Sequence, residues 1–282
     1  MIAWVGALGW LVARERSPLP PAGMAEPLPR VNPRTVFYYV RLDGRQIGIA
    51  SSAIDTVPAG VRATMRYDVR LPAGDSTRRV VRSDEVLLSR RLALESFAAV
   101  QSGGGVVQTV RGRVDDGALR WQTGRQRGAT SGHGEIPAEE GLIVASALPL
   151  RLAFSAPLVR GRAEQVPLFE AGRGRVTRLQ VRVAQDTVLA IPDSAVYDTA
   201  RRSWTPAHVD SVRAWQIDAR GDSTAETLWI DAEGQLVSGR TAEGWELSRS
   251  AFELVTADYH MRGGAPPAPS PTARRPPTPD PR

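Results

Sequence analysis

The chain has 282 residues and a formal net charge of +6, and all of its positive charge is arginine, since no lysine occurs. Cysteine is also absent, which excludes disulfides, thiolate metal sites and a cysteine nucleophile; the missing lysine excludes Schiff-base chemistry and a phosphate-cradling lysine. The arginines are spread along the whole chain without a cluster interleaved with aromatics, so nucleic acid is not an expected partner.

Residues 1–16 (MIAWVGALGWLVARER) form an apolar run stopped by Arg14 and Arg16. As a helix the run reaches about 20 Å, short of the ~30 Å hydrocarbon core, and a buried or interfacial helix is the alternative. We read it as a membrane anchor because the Pro-rich stretch 17–34 behind it is a tether, not a packing neighbour. The trailing arginines would hold the body in the cytoplasm by the positive-inside rule; a basic stretch ahead of Met1 would reverse that. The expectation is an anchored, extracytoplasmic (periplasmic) body.

Asp43-Gly44 lies between two apolar runs within residues 36–54, the signature of a two-residue hairpin whose type I′ turn needs φ > 0 at both positions. Counting outward, Tyr38 would face Ile49 and Val40 would face Ile47. On the other face Tyr39 would meet Gly48 and Phe37 would meet Ala50. Residues 61–71 then alternate, with Val61, Ala63, Met65, Tyr67, Val69 and Leu71 on one face and Arg62, Thr64, Arg66, Asp68 and Arg70 on the other. Period-two alternation predicts a half-buried strand with one wet face.

Strands are expected at 77–88, 91–101, 105–114 and 118–127, linked by short Gly- and Asp-rich turns. Residues 128–141 read as a polar loop. Residues 142–154 (LIVASALPLRLAF) are apolar throughout and predict a short buried helix kinked or split at Pro149, with a buried crossing strand as the alternative. Strands resume at 165–171, 175–185 and 187–191. An excursion at 192–206 follows, and then strands at 207–219, 223–231, 235–240 and 245–255. Residues 258–282 are dominated by Pro, Ala, Arg and Thr and predict a disordered tail. The folded body is thus expected at 35–257. The fold class is all-β: a curved antiparallel sheet or incomplete barrel with one short buried helix, plus the N-terminal anchor helix.

Reactive groups are sparse. His133 beside Glu135 is the best candidate base, but between glycines in a polar loop it reads as solvated. His208 and His260 have no G-x-S-x-G partner, and no HExxH or comparable ligand spacing occurs. The pairs Asp115-Asp116 and Glu139-Glu140 read as solvated turn carboxylates, and Gly172-Arg173-Gly174 as a turn. Arg62, Arg66, Arg70, Arg111 and Arg113 could line up as a basic stripe toward anionic headgroups or glycans, with a solubilising wet face as the plainer reading. Trp121, Trp204, Trp215, Trp229 and Trp245 read as core or sheet-face aromatics, with one or two available to line a groove. No catalytic residue, metal ligand or cofactor is expected.

Three motifs carry a resemblance: Tyr38-x-Val40-x-Leu42-Asp43-Gly44-x-x-Ile47-Gly48; Pro192-Asp193-Ser194-x-x-Tyr197-Asp198 with Trp204; and Trp229-Ile230-Asp231-x-x-Gly234-x-Leu236-Val237. Together they resemble the β-rich region that precedes the transglutaminase-like core in bacterial envelope proteins. In that family the chemistry belongs to a Cys-His-Asp core, which has no counterpart here. The resemblance implies a non-catalytic, membrane-tethered envelope domain that binds or scaffolds, accessory to a transglutaminase-like protein partner. More loosely the chain is similar to the curved sheets of periplasmic lipoprotein carriers, which implies an alternative role in carrying lipid or another hydrophobic ligand.

Overall fold

The computed structural model describes residues 31–74, 76–126, 132–221, 225–241 and 244–261. The expected anchor and nearly all of the expected tail lie outside them. Among the described residues, no helix is long and apolar enough to cross a membrane.

The first half of the chain contributes β1 (Arg34–Leu42), β2 (Arg45–Val57), β3 (Gly60–Ala73), β4 (Ser76–Ser89), β5 (Leu94–Gly103), β6 (Val106–Asp115), β7 (Ala118–Gln126) and β8 (His133–Pro137). The second half contributes β9 (Ala163–Glu170), β10 (Arg175–Asp198), β11 (Ser203–Arg220), β12 (Ala225–Asp231), β13 (Leu236–Arg240) and β14 (Glu246–Ser250). A 3-10 turn at Ala145–Ala147 and helix α1 (Leu148–Ser155) separate the halves, and helix α2 (Phe252–Met261) ends the described chain.

All strands belong to one antiparallel sheet in the order β8-β7-β6-β5-β4-β3-β2-β1-β14-β13-β12-β11-β10-β9. Each half is a meander, and the halves are joined where β1 pairs with β14. The sheet curves but does not close: β8 and β9 are its two edges. The expected curved all-β architecture is therefore the observed one.

The interior is packed. Val61, Val86, Leu88, Phe97 and Leu119 from the first half meet Leu179, Val181, Ile217 and Ile230 from the second. Between them sit Leu148, Leu150 and Leu152 of α1, with Leu150 and Leu152 each 1% exposed. Pro149 does not kink this helix. It stands in the first turn, where a missing N–H costs nothing. Residues 142–144 run extended before it, and Ile143 pairs in parallel with Leu168 on the outer edge of β9. Arg162 closes the other end: its guanidinium donates to the Leu152 carbonyl (3.1 Å) and the Ala156 carbonyl (2.6 Å), a cation at the negative pole of the helix.

Four further expectations are corrected. The Asp43-Gly44 turn forms with φ of 50° and 74°, but a bulge between Val40 and Arg41 shifts the register, so Tyr38 faces Ala50, Val40 faces Gly48 and Tyr39 faces Ile49. Gly48 is needed there because a β-carbon would lie 2.3 Å from the Asp68 carbonyl oxygen of β3. The polar loop at 128–141 contains strand β8. The excursion at 192–206 is the far end of the β10–β11 hairpin. The last expected strand stops at Ser250, and α2 carries the ordered body past residue 257; at the other end Val31 packs into the core and its carbonyl accepts from Thr56 Oγ1.

Candidate binding surface

Strands β10 and β11 are far longer than their neighbours. β9 covers β10 only from Arg175 to Arg182, and β12 covers β11 only from Ala214 to Arg220. Beyond those points the hairpin is a two-stranded arm. A bulge between Val183 and Gln185 reverses its facing. Leu179, Val181 and Val183 enter the interior, whereas Leu189 and Ile191, still odd-numbered, join Val212, Ala214, Trp229 and Val237 in a separate cluster. One unpaired residue thus turns the apolar face from the inside of the sheet to its outside.

The arm accommodates two prolines because it has free edges. Pro192 sits at a bulge and Pro206 opposite Ala195, positions from which a central strand would exclude proline. Its turn is held by Asp198, whose Oδ1 accepts from the N–H groups of Ala200 (2.9 Å) and Arg201 (3.0 Å), and Arg202 adopts φ 51°. Beside the turn Tyr197 and Trp204 are cross-strand partners, with ring centroids 5.5 Å apart at 67°. His208 Nδ1 lies 2.8 Å from Asp193 Oδ1, and this bond holds the Asp193 carboxyl below its usual range.

The described residues include eight exposed large hydrophobics, and five of them are on the arm: Val188, Val196, Tyr197, Trp204 and Val209. That concentration separates the arm from an ordinary surface, where such residues are scattered singly.

Helix α2 forms the facing wall. Phe252 packs edge-on against Phe37 of β1 (4.9 Å between centroids), and Gln46 Nε2 of β2 donates to the Val255 carbonyl (3.2 Å). Over β3, Tyr259 Oη donates to Asp68 Oδ1 (3.1 Å) and stacks under the Arg70 guanidinium (4.8 Å to the centroid). The helix therefore crosses the outer face of β1, β2 and β3. Between it and the arm lies a groove of about 440 Å³. Its floor is Tyr39, Arg41, Ser248 and Ser250; Trp204, Pro192 and Pro206 form one side, and Leu254 and Ala257 the other. The Arg41 guanidinium lies 4.8 Å from the Tyr39 ring centre. A second cavity, at the rim by β9, β10 and β11, is lined by charged and amide groups including Glu164, Arg182, Asp218 and Arg220.

Beneath the groove floor Arg249 and Asp231 form a buried ion pair at 3.0 Å, with side chains 6% and 8% exposed. Asp231 Oδ1 also accepts from the backbone N–H of Gln235 (2.9 Å) and of Glu233 (3.0 Å). Burial nevertheless pushes the Asp231 carboxyl above its ordinary value, against the pull of those donors and of Arg249. Tyr38 is fully buried alongside; its hydroxyl donates to the Leu236 carbonyl (2.9 Å), and burial drives its ionisation well above the ordinary range.

The residues singled out in the sequence are scattered. His133 is exposed on edge strand β8, and its neighbour Glu135 pairs with Arg120 (3.2 Å). Asp115 also pairs with Arg120 (3.3 Å), and Glu139 with Arg178. The basic stripe is broken up: Arg62 pairs with Glu85 (3.6 Å) and Arg70 lies over Tyr259. Gly174 packs on Trp121 instead of cradling an anion. Among the described residues, no three His, Asp or Glu side chains are grouped so as to hold a metal ion. The side chain of His260 lies outside the described set. Sequence reasoning missed the groove because its walls come from positions near 40, 200 and 250; the one local signal was the pairing of Tyr197 with Trp204 across a turn.

No family model matches the chain, and no curated protein matches it. A solved structure does: the chain is similar to a beta-barrel-like protein of domain of unknown function DUF1849 from Brucella abortus, with a TM-score of 0.53 and 15% identity over 78% of this chain and 95% of that one. At that identity the likeness concerns the fold alone: the curved, unclosed antiparallel sheet of this chain matches a beta-barrel-like architecture.

Proposed function

We propose that this chain is a membrane-tethered, extracytoplasmic β domain that binds or scaffolds a protein partner and does no chemistry of its own. The observation that carries the reading is the arm, which projects past its neighbouring strands and holds five of the eight exposed large hydrophobics among the described residues. Anchored by residues 1–16, such a surface would face a partner in the envelope, and the resemblance drawn from the hairpin motifs makes a transglutaminase-like protein the partner of choice.

The test is a photo-crosslinking side chain at Val196 in the full chain, in its own cells, with a label at Val100 on β5 as the control position. The expected result is a membrane-fraction protein with one discrete adduct from Val196 and none from Val100, and the adduct's identity decides whether the partner has a transglutaminase-like core. Recovery in the soluble fraction with no adduct from either position would overturn the proposal.

The alternative, a carrier of lipid or another apolar ligand, needs an empty apolar interior. Here Leu148, Leu150 and Leu152 occupy it. A stoichiometric lipid in native mass spectra of the protein taken from membranes would favour the carrier after all.

A further inference from the structure

We propose that the groove between the arm and α2 is occupied by the chain's own proline-rich C-terminal segment, centred on residues 265–272. The inference concerns the groove, which of the five exposed arm residues only Trp204 lines, and it does not depend on which partner Val188, Val196, Tyr197 and Val209 meet.

Three observations support it. The first is position. Ala257 lines the groove and α2 ends four residues later at Met261, about 6 Å further along the helix. The 21 residues from Arg262 to Arg282 follow directly in the sequence, beginning with a Gly263-Gly264 pair. The second is chemistry. Residues 263–273 (GGAPPAPSPTA) carry no charged side chain, and Pro266, Pro267, Pro269 and Pro271 lack a backbone N–H. Such a stretch presents pyrrolidine rings and carbonyl acceptors. The groove offers the matching set: the rings of Tyr39 and Trp204, and the hydroxyl donors of Ser203, Ser248 and Ser250. Aromatic-lined grooves that take pre-extended proline segments are a recurrent recognition mode with a low ordering cost. The third is proximity. A segment tethered so close meets its site at an effective concentration on the order of millimolar, so even a weak intrinsic affinity would fill the groove.

The consequence is regulatory: a proline-rich ligand from outside would have to displace the segment first. The full chain is compared with a chain ending at Met261 by hydrogen–deuterium exchange, following peptides that cover 203–206 and 248–254. Both should exchange several-fold more slowly in the full chain. A synthetic peptide of residues 262–282 should bind the shortened chain saturably by calorimetry and the full chain not at all. Binding should be lost with Trp204→Ala, and with a peptide carrying alanine at Pro266, Pro267, Pro269 and Pro271; circular dichroism checks that the variant folds. Equal exchange in the two chains together with no peptide binding would overturn the proposal. So would protection that disappears on dilution as a dimer dissociates, because the occupant would then be a second copy's segment. An absent adduct at Val196 would leave these outcomes unchanged, so the two readings fail separately.

Discussion

The indole of Trp121 lies so close to Gly174 that a β-carbon on the glycine would come within 2.4 Å of the ring. Trp121 is on β7, one strand from one edge of the sheet, and Gly174 is in the turn after β9, the other edge. Gly134 flanks the same indole from β8, with a β-carbon clearance of 2.7 Å, and Phe169 of β9 lies 6.0 Å away. The two unbonded edges are thus brought together by an aromatic side chain seated between glycines. Gly174 has φ 63° as well, so Gly174→Ala combines a clash with backbone strain and should cost about 2–4 kcal/mol. Gly44→Ala meets only the φ constraint, since nothing lies within 4 Å, and should cost about 1–2 kcal/mol. Urea denaturation of the two variants gives the comparison.

The Arg249–Asp231 pair should behave asymmetrically. Arg249→Met strands a buried carboxylate and should destabilise by roughly 3–5 kcal/mol. Adding Asp231→Asn should restore much of that loss, because the amide oxygen can still accept from the N–H groups of Glu233 and Gln235. Burial already raises the Asp231 carboxyl, and the single variant removes one group that opposes the rise. A raised carboxyl pKa favours the protonated folded state, so the Arg249→Met protein should gain stability as pH falls toward 5, relative to the wild type. Denaturant midpoints at two pH values would show it.

Docking of α2 carries an acid limb of the opposite sign. The bidentate Arg79 guanidinium, at 2.9 and 2.5 Å, and the Tyr259 hydroxyl hold Asp68 below its usual range. A depressed carboxyl stabilises the fold fully above its unfolded pKa of ~3.9, and that contribution is lost as pH falls through the folded value. Asp68→Asn should therefore flatten stability against pH below about 4. Tyr259→Phe, which removes the hydroxyl donor, should cost about 1 kcal/mol at neutral pH. Thermal melts across pH 2–7 give both readings.

Leu150→Ala tests the plug. The side chain is 1% exposed, and its own Cα lies 2.7 Å from where a β-carbon on Gly234 would sit, so the site has little room to collapse around a void. A cost of about 3–5 kcal/mol is expected. The loss should bring earlier exchange of amides in β9, whose outer edge is covered by the segment leading into α1.

Much of this fold was legible because it is local. Asp43-Gly44 specifies its turn through φ alone, and the alternation from Val61 to Leu71 specifies a half-buried strand without help from neighbours. The register error at Tyr39 and Gly48 arose because the bulge at Val40 answers to β3, which crowds Gly48 from the far side. The stretch 192–206 reads as an excursion, yet Pro192 and Pro206 sit within strands, because the rule that keeps proline out of central strands lapses in a two-stranded arm. α2 carries a local signal of its own, at odds with the strand expected to 255: Phe252, Val255 and Tyr259 recur at spacings of three and four, the helical period. The groove had no such signature. Its floor depends on β1 meeting β14, which no short stretch of sequence records.

That pairing also sets how the chain must fold. Every other hydrogen-bonded strand pairing in the sheet joins consecutive strands, whereas β1 and β14 pair residues as distant in sequence as Tyr38 and Arg249. Closing a loop of that size costs about 5 kcal/mol in chain entropy, and it falls on a single step. A circular permutant that fuses the ends beside β1 and β14 and opens the chain between β8 and β9 would turn all fourteen strands into one continuous meander. Its contact order would drop, and it should refold faster than the natural order of the same strands.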